Sequence, residues 1–198
     1  MTLILCLVLR LRGASGSYPQ YILTKAAELN DDNETVESLF FPLYNMILNY
    51  WFPPEDFDVC ARWTIPNCGR TEDFSITYVI QHHHRPFLLI EIKPPSDFHS
   101  NSARHLAILQ VISHLDEIGP TNQHAERLYA ISAIGKTWRA CYALSGSGGE
   151  DGQPVEGIAA INSLQSPRPE CWNPDITSDD SWVALQSIVE TIKGYVAQ

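Results

Sequence analysis

Two acids and one lysine stand at the ends of adjoining apolar segments in TEDFSITYVIQHHHRPFLLIEIKPP, residues 71–95. If these segments pair as an antiparallel hairpin turning at the histidines, the register that sets Asp73 opposite Lys93 also sets Ser75 opposite Glu91. Alternate side chains share a face of a strand, so Asp73, Ser75, Glu91 and Lys93 would point the same way. Like charges held together raise one another's pKa, and a buried charge without a partner is costly. A divalent cation between Asp73 and Glu91 relieves both penalties. Two carboxylates, the Ile92 carbonyl and waters make a hard oxygen shell of the kind Mg²⁺ prefers, and Mn²⁺ suits it too. Lys93 would then lower the pKa of an attacking water or steady charge growing on a phosphate. The plainer reading is a salt bridge at a strand end, with Lys93 reaching to solvent.

The elements that must position these groups follow from periodicity. Val36, Leu39, Phe40, Leu43, Ile47, Leu48 and Trp51 recur at three- and four-residue steps, predicting a helix over 29–52. Asn30, Asp31 and Asp32 are its N-cap candidates, and Pro42 must kink or split it. FDVCARWTIP alternates like a strand, a second strand runs over 74–80, and FLLIEIK is a third, apolar on both faces over Phe87 to Ile90, as in a strand buried on both sides. A second helix is expected over 102–118, with Leu106, Leu109, Ile112 and Leu115 as its stripe and Gly119-Pro120 as its stop. LYAISAIG and TWRACYAL read as strands joined near Gly135-Lys136. SGSGGEDGQP reads as a surface loop and VEGIAAI as a short last strand. A final helix over 180–196 is capped by Ser178 or Asp179. The sum is α/β: a single domain at 19–198, a mixed central sheet flanked by helices, with 1–18 as an appendage.

An acid at the start of one strand and E-x-K at the end of the next resembles the PD-(D/E)XK nuclease superfamily. The likeness spans roughly residues 30–134, over a helix, three strands, a helix and a strand. It implies a restriction-endonuclease-like core in which Asp73 (preceded by Glu72 instead of proline), Glu91 and Lys93 are the catalytic set. It also implies a glutamate from the helix before the sheet, Glu37 with Glu34 in reserve, and a site-facing glutamine, Gln110. Asp73, Glu91 and Ile92 would hold Mg²⁺ or Mn²⁺. The implied activity is metal-dependent endonucleolytic hydrolysis of phosphodiester bonds, in DNA before RNA, by a possible homodimer with no membrane partner. The alternative is the same fold without catalysis, acting as an intracellular binding or interaction protein.

A net charge of −10 and a pI near 5.0 argue against a broad basic nucleic-acid surface, though not against a small basic rim. Five cysteines without CxxC spacing argue against structural zinc. Free thiols are the simpler reading, with a Cys60–Cys68 bridge as the alternative. The N-terminal run TLILCLVLRLRGA is too short to span a membrane and poor as a signal, which favours cytoplasm or nucleus over secretion. It resembles the C-terminal tail of ubiquitin, with Ala14 in place of the final glycine, and suggests no function. His82, His83 and His84 read as a solvated turn; His99, His105, His114 and His124 are spread around the second helix, and His105 reads as a surface histidine before a secondary catalytic group near a phosphate. Arg104 and Lys136 are candidates for backbone phosphates. The glycine-rich loop lacks the GK[ST] of a phosphate loop. Trp51, Trp63 and Trp138 are expected in the core.

Overall fold

The computed structural model describes residues 16–29, 35–64, 75–118, 127–144 and 167–197. Five strands form one sheet in the order β1-β2-β3-β4-β5: Asp58–Thr64, Ser75–His82, Arg85–Lys93, Arg127–Ile134 and Thr137–Leu144. β3 and β4 are parallel and all other neighbours antiparallel. Parallel strands need a crossover, and α3 (Asn101–Ile118) supplies it, while α1 (Gln20–Ala27), α2 (Phe41–Trp51) and α4 (Asp179–Val196) complete the helices described. The result is a mixed sheet between two helical layers, in one domain.

One sheet face carries Tyr78, Ile80, Leu88, Ile90, Ile92, Tyr129 and Ile131, packed against Ile22 of α1, Leu43 and Ile47 of α2, and Leu185 and Val189 of α4. The other presents Val79, Leu89 and Ala130 to Val111, Leu115 and Ile118 of α3. β3 is buried from Phe87 through Ile92, as its two-sided apolar pattern predicts. Trp51 and Trp138 are core residues, as expected. Ser178 caps α4 by accepting from the Ser181 N–H at 3.2 Å.

Several expectations change. The helix over 29–52 is not continuous: among the described residues a 3₁₀ turn, Glu37–Leu39, precedes α2, and Pro42 sits in the first turn of α2. Proline lacks the N–H that a helix interior needs but is at home in a first turn. Val36 and Leu39 therefore lie outside the buried stripe and are exposed. The buried stripe of α3 runs through Arg104, Ala107, Ile108, Val111, Leu115 and Ile118, leaving Leu106 and Leu109 exposed. Two apolar stripes compete on that helix, and the sheet selects the one with β-branched and small residues. α1 was not anticipated. It buries Ile22 and Ala26, and Tyr18 just before it accepts a 3.0 Å hydrogen bond from the Trp51 indole.

His83 and His84 form the two-residue loop between β2 and β3, at φ 49° and 63°. Two successive positive φ values are those of a type I′ turn, which matches the twist of the flanking strands. No helix among the described residues is long and apolar enough to cross a membrane. The Cys60, Cys141 and Cys171 thiols are free. The segments 145–154 and 155–161, the caps Asn30, Asp31 and Asp32, Cys6, Cys68 and His124 lie outside the described residues, as does the Trp63 side chain.

Candidate functional site

Glu91 lies near the C-terminal end of β3 on the face covered by α3, and is 5 % exposed. Its Oε1 accepts from Lys93 Nζ at 3.0 Å and from Gln110 Nε2 of α3 at 2.9 Å. Its Oε2 accepts from the Thr77 N–H of β2 at 3.3 Å. A carboxylate, an ammonium and an amide from two different elements thus converge at one strand end. Lys93 keeps 23 % of its side chain exposed, so the ammonium stands between the buried carboxylate and solvent.

The second strand contributes differently from expectation. β2 and β3 pair as far as Tyr78↔Ile90, with a bulge between Ile80 and Gln81. Carried on from there, the register sets Thr77, not Ser75, against Glu91. The bulge and the tight histidine turn shift the pairing two residues from the expected one. A shift of two keeps every side chain on its face, whereas a shift of one reverses it. Asp73 and Glu34 lie outside the described residues, as does the Ser75 side chain.

Burial pushes the Glu91 carboxyl above its ordinary range. The Lys93 charge and hydrogen bond and the Thr77 N–H pull it back down, and the negative charge of Glu37 pushes it up again. Glu37, on the 3₁₀ turn, is therefore near enough to be felt. The Tyr78 hydroxyl donates to the Phe41 carbonyl at 3.0 Å, which ties the junction after that turn to β2. Lys93 is fixed from the other side: its carbonyl accepts from the Gly135 N–H at 2.9 Å, and the Gly135 carbonyl accepts from the buried Tyr44 hydroxyl at 2.9 Å. Gly135 has φ 61°, the left-handed turn conformation that glycine adopts without strain.

Four polar residues escaped the sequence reading. Thr77 was passed over for Ser75. His114, one helical turn beyond Gln110, is 2 % exposed and not a surface group; burial and the Lys93 charge push its pKa down to about 4. Ser132 pairs with Glu91 across β3–β4, and Arg139 pairs with Ser132 across β4–β5, so Thr77, Glu91, Ser132 and Arg139 form one polar row along the sheet. The Arg139 guanidinium lies 5.6 Å from the Trp172 ring centroid. The period-2 alternation of their strands could have revealed the row, but only with the register known.

Arg104 is committed inside the fold, and Lys136 is half-buried. Arg104 is 6 % exposed and donates to the Phe98 carbonyl, the Pro167 carbonyl at 2.5 Å and Asn101 Oδ1 at 3.3 Å. Lys136 donates to the Ala26 carbonyl at 3.5 Å. Such a lining makes Arg104 a clamp at the start of α3, not a phosphate contact. His83 and His84 are exposed, as a solvated turn requires.

Among the described residues no group of three or more His, Cys, Asp or Glu side chains is placed to hold a metal ion. The metal donors the described residues do offer are the Glu91 carboxylate, with lone-pair capacity left on Oε2 beside one hydrogen bond, and the main-chain carbonyls of β3. A buried carboxylate disfavoured by its surroundings, with Glu37 adding negative charge, is a position where a bound cation is favourable. Among the described residues this is a single carboxylate, which alone does not make a divalent-ion site. No family model, curated protein or solved structure matches the chain.

Proposed function

We propose that this protein is a metal-dependent endonuclease of PD-(D/E)XK type, hydrolysing phosphodiester bonds, in DNA before RNA. The observation that carries this reading is the convergence of Lys93 and Gln110 on one oxygen of the buried Glu91 carboxylate at a strand end. A salt bridge built only for stability gains little from burying its acid, because desolvation offsets the Coulombic attraction. The element order supports the reading as well: a helix, a three-stranded antiparallel meander, a crossover helix and a parallel fourth strand.

Glu91 and Asp73, with the Ile92 carbonyl, would hold Mg²⁺ or Mn²⁺. The ion would polarise the phosphate and supply a more acidic bound water. Lys93, on the solvent side of Glu91, places a positive charge where negative charge grows on the phosphate. Gln110 holds Glu91 Oε1, while the Thr77 N–H holds Oε2. Glu37 adds negative charge that strengthens cation binding.

A second reading has its own support. Glu91 already receives three hydrogen bonds, the one from Lys93 being also an ion pair, so the cluster is self-sufficient as a structural unit. On that reading the fold serves as a non-catalytic binding or interaction protein. Binding of Mn²⁺ separates the two. Under the nuclease reading Mn²⁺ broadens NMR resonances around Glu91 and Lys93, and Glu91→Ala abolishes the effect. Under the binding-protein reading the same resonances are untouched at millimolar Mn²⁺.

A further inference from the structure

Thr77 occupies the place where the β2–β3 ladder gives out. The strands pair as far as Tyr78↔Ile90, whereas β1–β2 continues to Thr64↔Ser75 and β3–β4 to Lys93↔Ile134. β3 is thus held by one neighbour and released by the other just at Glu91. In the released stretch two side chains take over what main-chain groups do elsewhere in the sheet. The Ile92 N–H donates to Thr77 Oγ1 at 3.3 Å, and the Thr77 N–H donates to Glu91 Oε2 at 3.3 Å. Both residues are buried, Thr77 at 8 % exposure and Ile92 at 0 %. A buried N–H without an acceptor costs about 1–3 kcal/mol, so this substitution of partners is what makes the opening tolerable.

We propose that Thr77 is a positioning residue of the candidate site: its hydroxyl wedges β2 away from β3 by capturing the Ile92 N–H, and its N–H then orients the Glu91 carboxylate. In a regular antiparallel ladder of this register the Ile92 N–H would go to a main-chain carbonyl of β2 and the Thr77 N–H would face β1, which leaves Glu91 Oε2 without its donor. Threonine suits the task. The β-branched side chain favours a strand, its methyl packs among neighbours, and its hydroxyl accepts one bond while keeping a proton to give. Valine has the same shape without the acceptor, and serine has the acceptor without the methyl.

The inference rests on the proposed function only for its metal readout, and the test keeps the two apart. The full chain, labelled with ¹⁵N and ¹³C, is compared with Thr77→Val and Thr77→Ser. Hydrogen exchange is followed at the Ile92 amide, with the Ala130 and Ile131 amides of β4 as controls for an intact fold. Thr77→Val is expected to speed Ile92 exchange by about tenfold or more and to move the Glu91 carboxyl ¹³C resonance at fixed pH. Thr77→Ser is expected to restore both. If Thr77→Val loses the control amides, Thr77→Ala is read in its place. An unchanged Ile92 rate in the hydroxyl-free variant overturns the proposal, and so does a Thr77→Ser variant that behaves like it. In the third measurement, Mn²⁺ affinity is expected to fall about tenfold in Thr77→Val, the usual scale for losing a group that orients a metal ligand. Wild type that binds no Mn²⁺ would sink the nuclease reading, while the exchange and carboxyl data would still support Thr77 as the group that orients Glu91.

Discussion

Replacing Lys93 by methionine removes the ammonium from Glu91 Oε1 while keeping much of the side chain's bulk. Breaking a buried pair by deleting one partner costs about 3–5 kcal/mol, because the other charge stays buried and uncompensated. Here the acid is 5 % exposed and the lysine 23 %, so water already screens part of the pair. A cost of about 2–3 kcal/mol near pH 8 follows, a large part of a stability of about 5–15 kcal/mol. The cost depends on pH in a definite direction. Glu91 is already raised by burial from an ordinary value of 4.5, and losing Lys93 raises it further. Below 4.5 the carboxyl is protonated in both folded and unfolded chains, and the substitution costs little. As pH rises, the unfolded chain releases its proton first, and the folded variant loses stability across the window up to its own raised pKa. Urea denaturation near pH 5 and pH 8 measures both ends. Adding Glu91→Gln should recover about 1–2 kcal/mol at pH 8, since the orphaned charge is gone. Equal losses at the two pH values, or no recovery in the double variant, would refute the claim that Glu91 is a buried charge held by Lys93.

Other outcomes follow from neighbouring groups. His114, lowered from 6.5 to about 4, should cost about 3 kcal/mol of stability as pH falls through that interval, because only the unfolded chain takes up the proton; His114→Gln should flatten the dependence, and an unaltered slope would contradict it. Asn-Gly in place of His83-His84 should stabilise the protein by about 1 kcal/mol by thermal denaturation, since both positions have positive φ, and a loss would argue against a type I′ turn. A Cβ on Gly16 would lie 1.9 Å from Trp182 Cζ3, so Gly16→Ala should lower the urea midpoint by the equivalent of about 1–3 kcal/mol.

The strands were legible because their patterns are local. Phe87 to Ile90 is apolar on both faces and the strand is bounded by Pro94, and it became the buried central strand. The histidine turn was readable too, since three polar residues between two β-rich runs leave little else. What failed was long-range. The Ile80/Gln81 bulge leaves no mark in composition, yet it decides that Thr77 rather than Ser75 meets Glu91. The face of α3 was ambiguous because Leu106 and Leu109 have the same spacing as the residues actually buried, and the competition is settled only by the sheet. The burial of His114 and Arg104 was not legible because such groups are usually solvated: His114 is 2 % exposed, and Arg104, a candidate for backbone phosphates by sequence, clamps three acceptors. Glu91 and Lys93 stand out by their place at the strand end and Gln110 through the family resemblance, and the three do meet. Asp73 lies outside the described residues.

The most direct test of the nuclease account is cleavage of supercoiled plasmid and single-stranded DNA by the purified full chain with Mg²⁺, Mn²⁺ or EDTA. Wild type should cut only with metal, and Lys93→Ala and Glu91→Ala, shown by circular dichroism to keep the fold, should each lose cutting by about 100-fold or more. A wild type inert on DNA and RNA with every metal, or a Lys93→Ala variant cutting at the wild-type rate, would contradict the account and leave the Glu91 cluster as a structural charge centre.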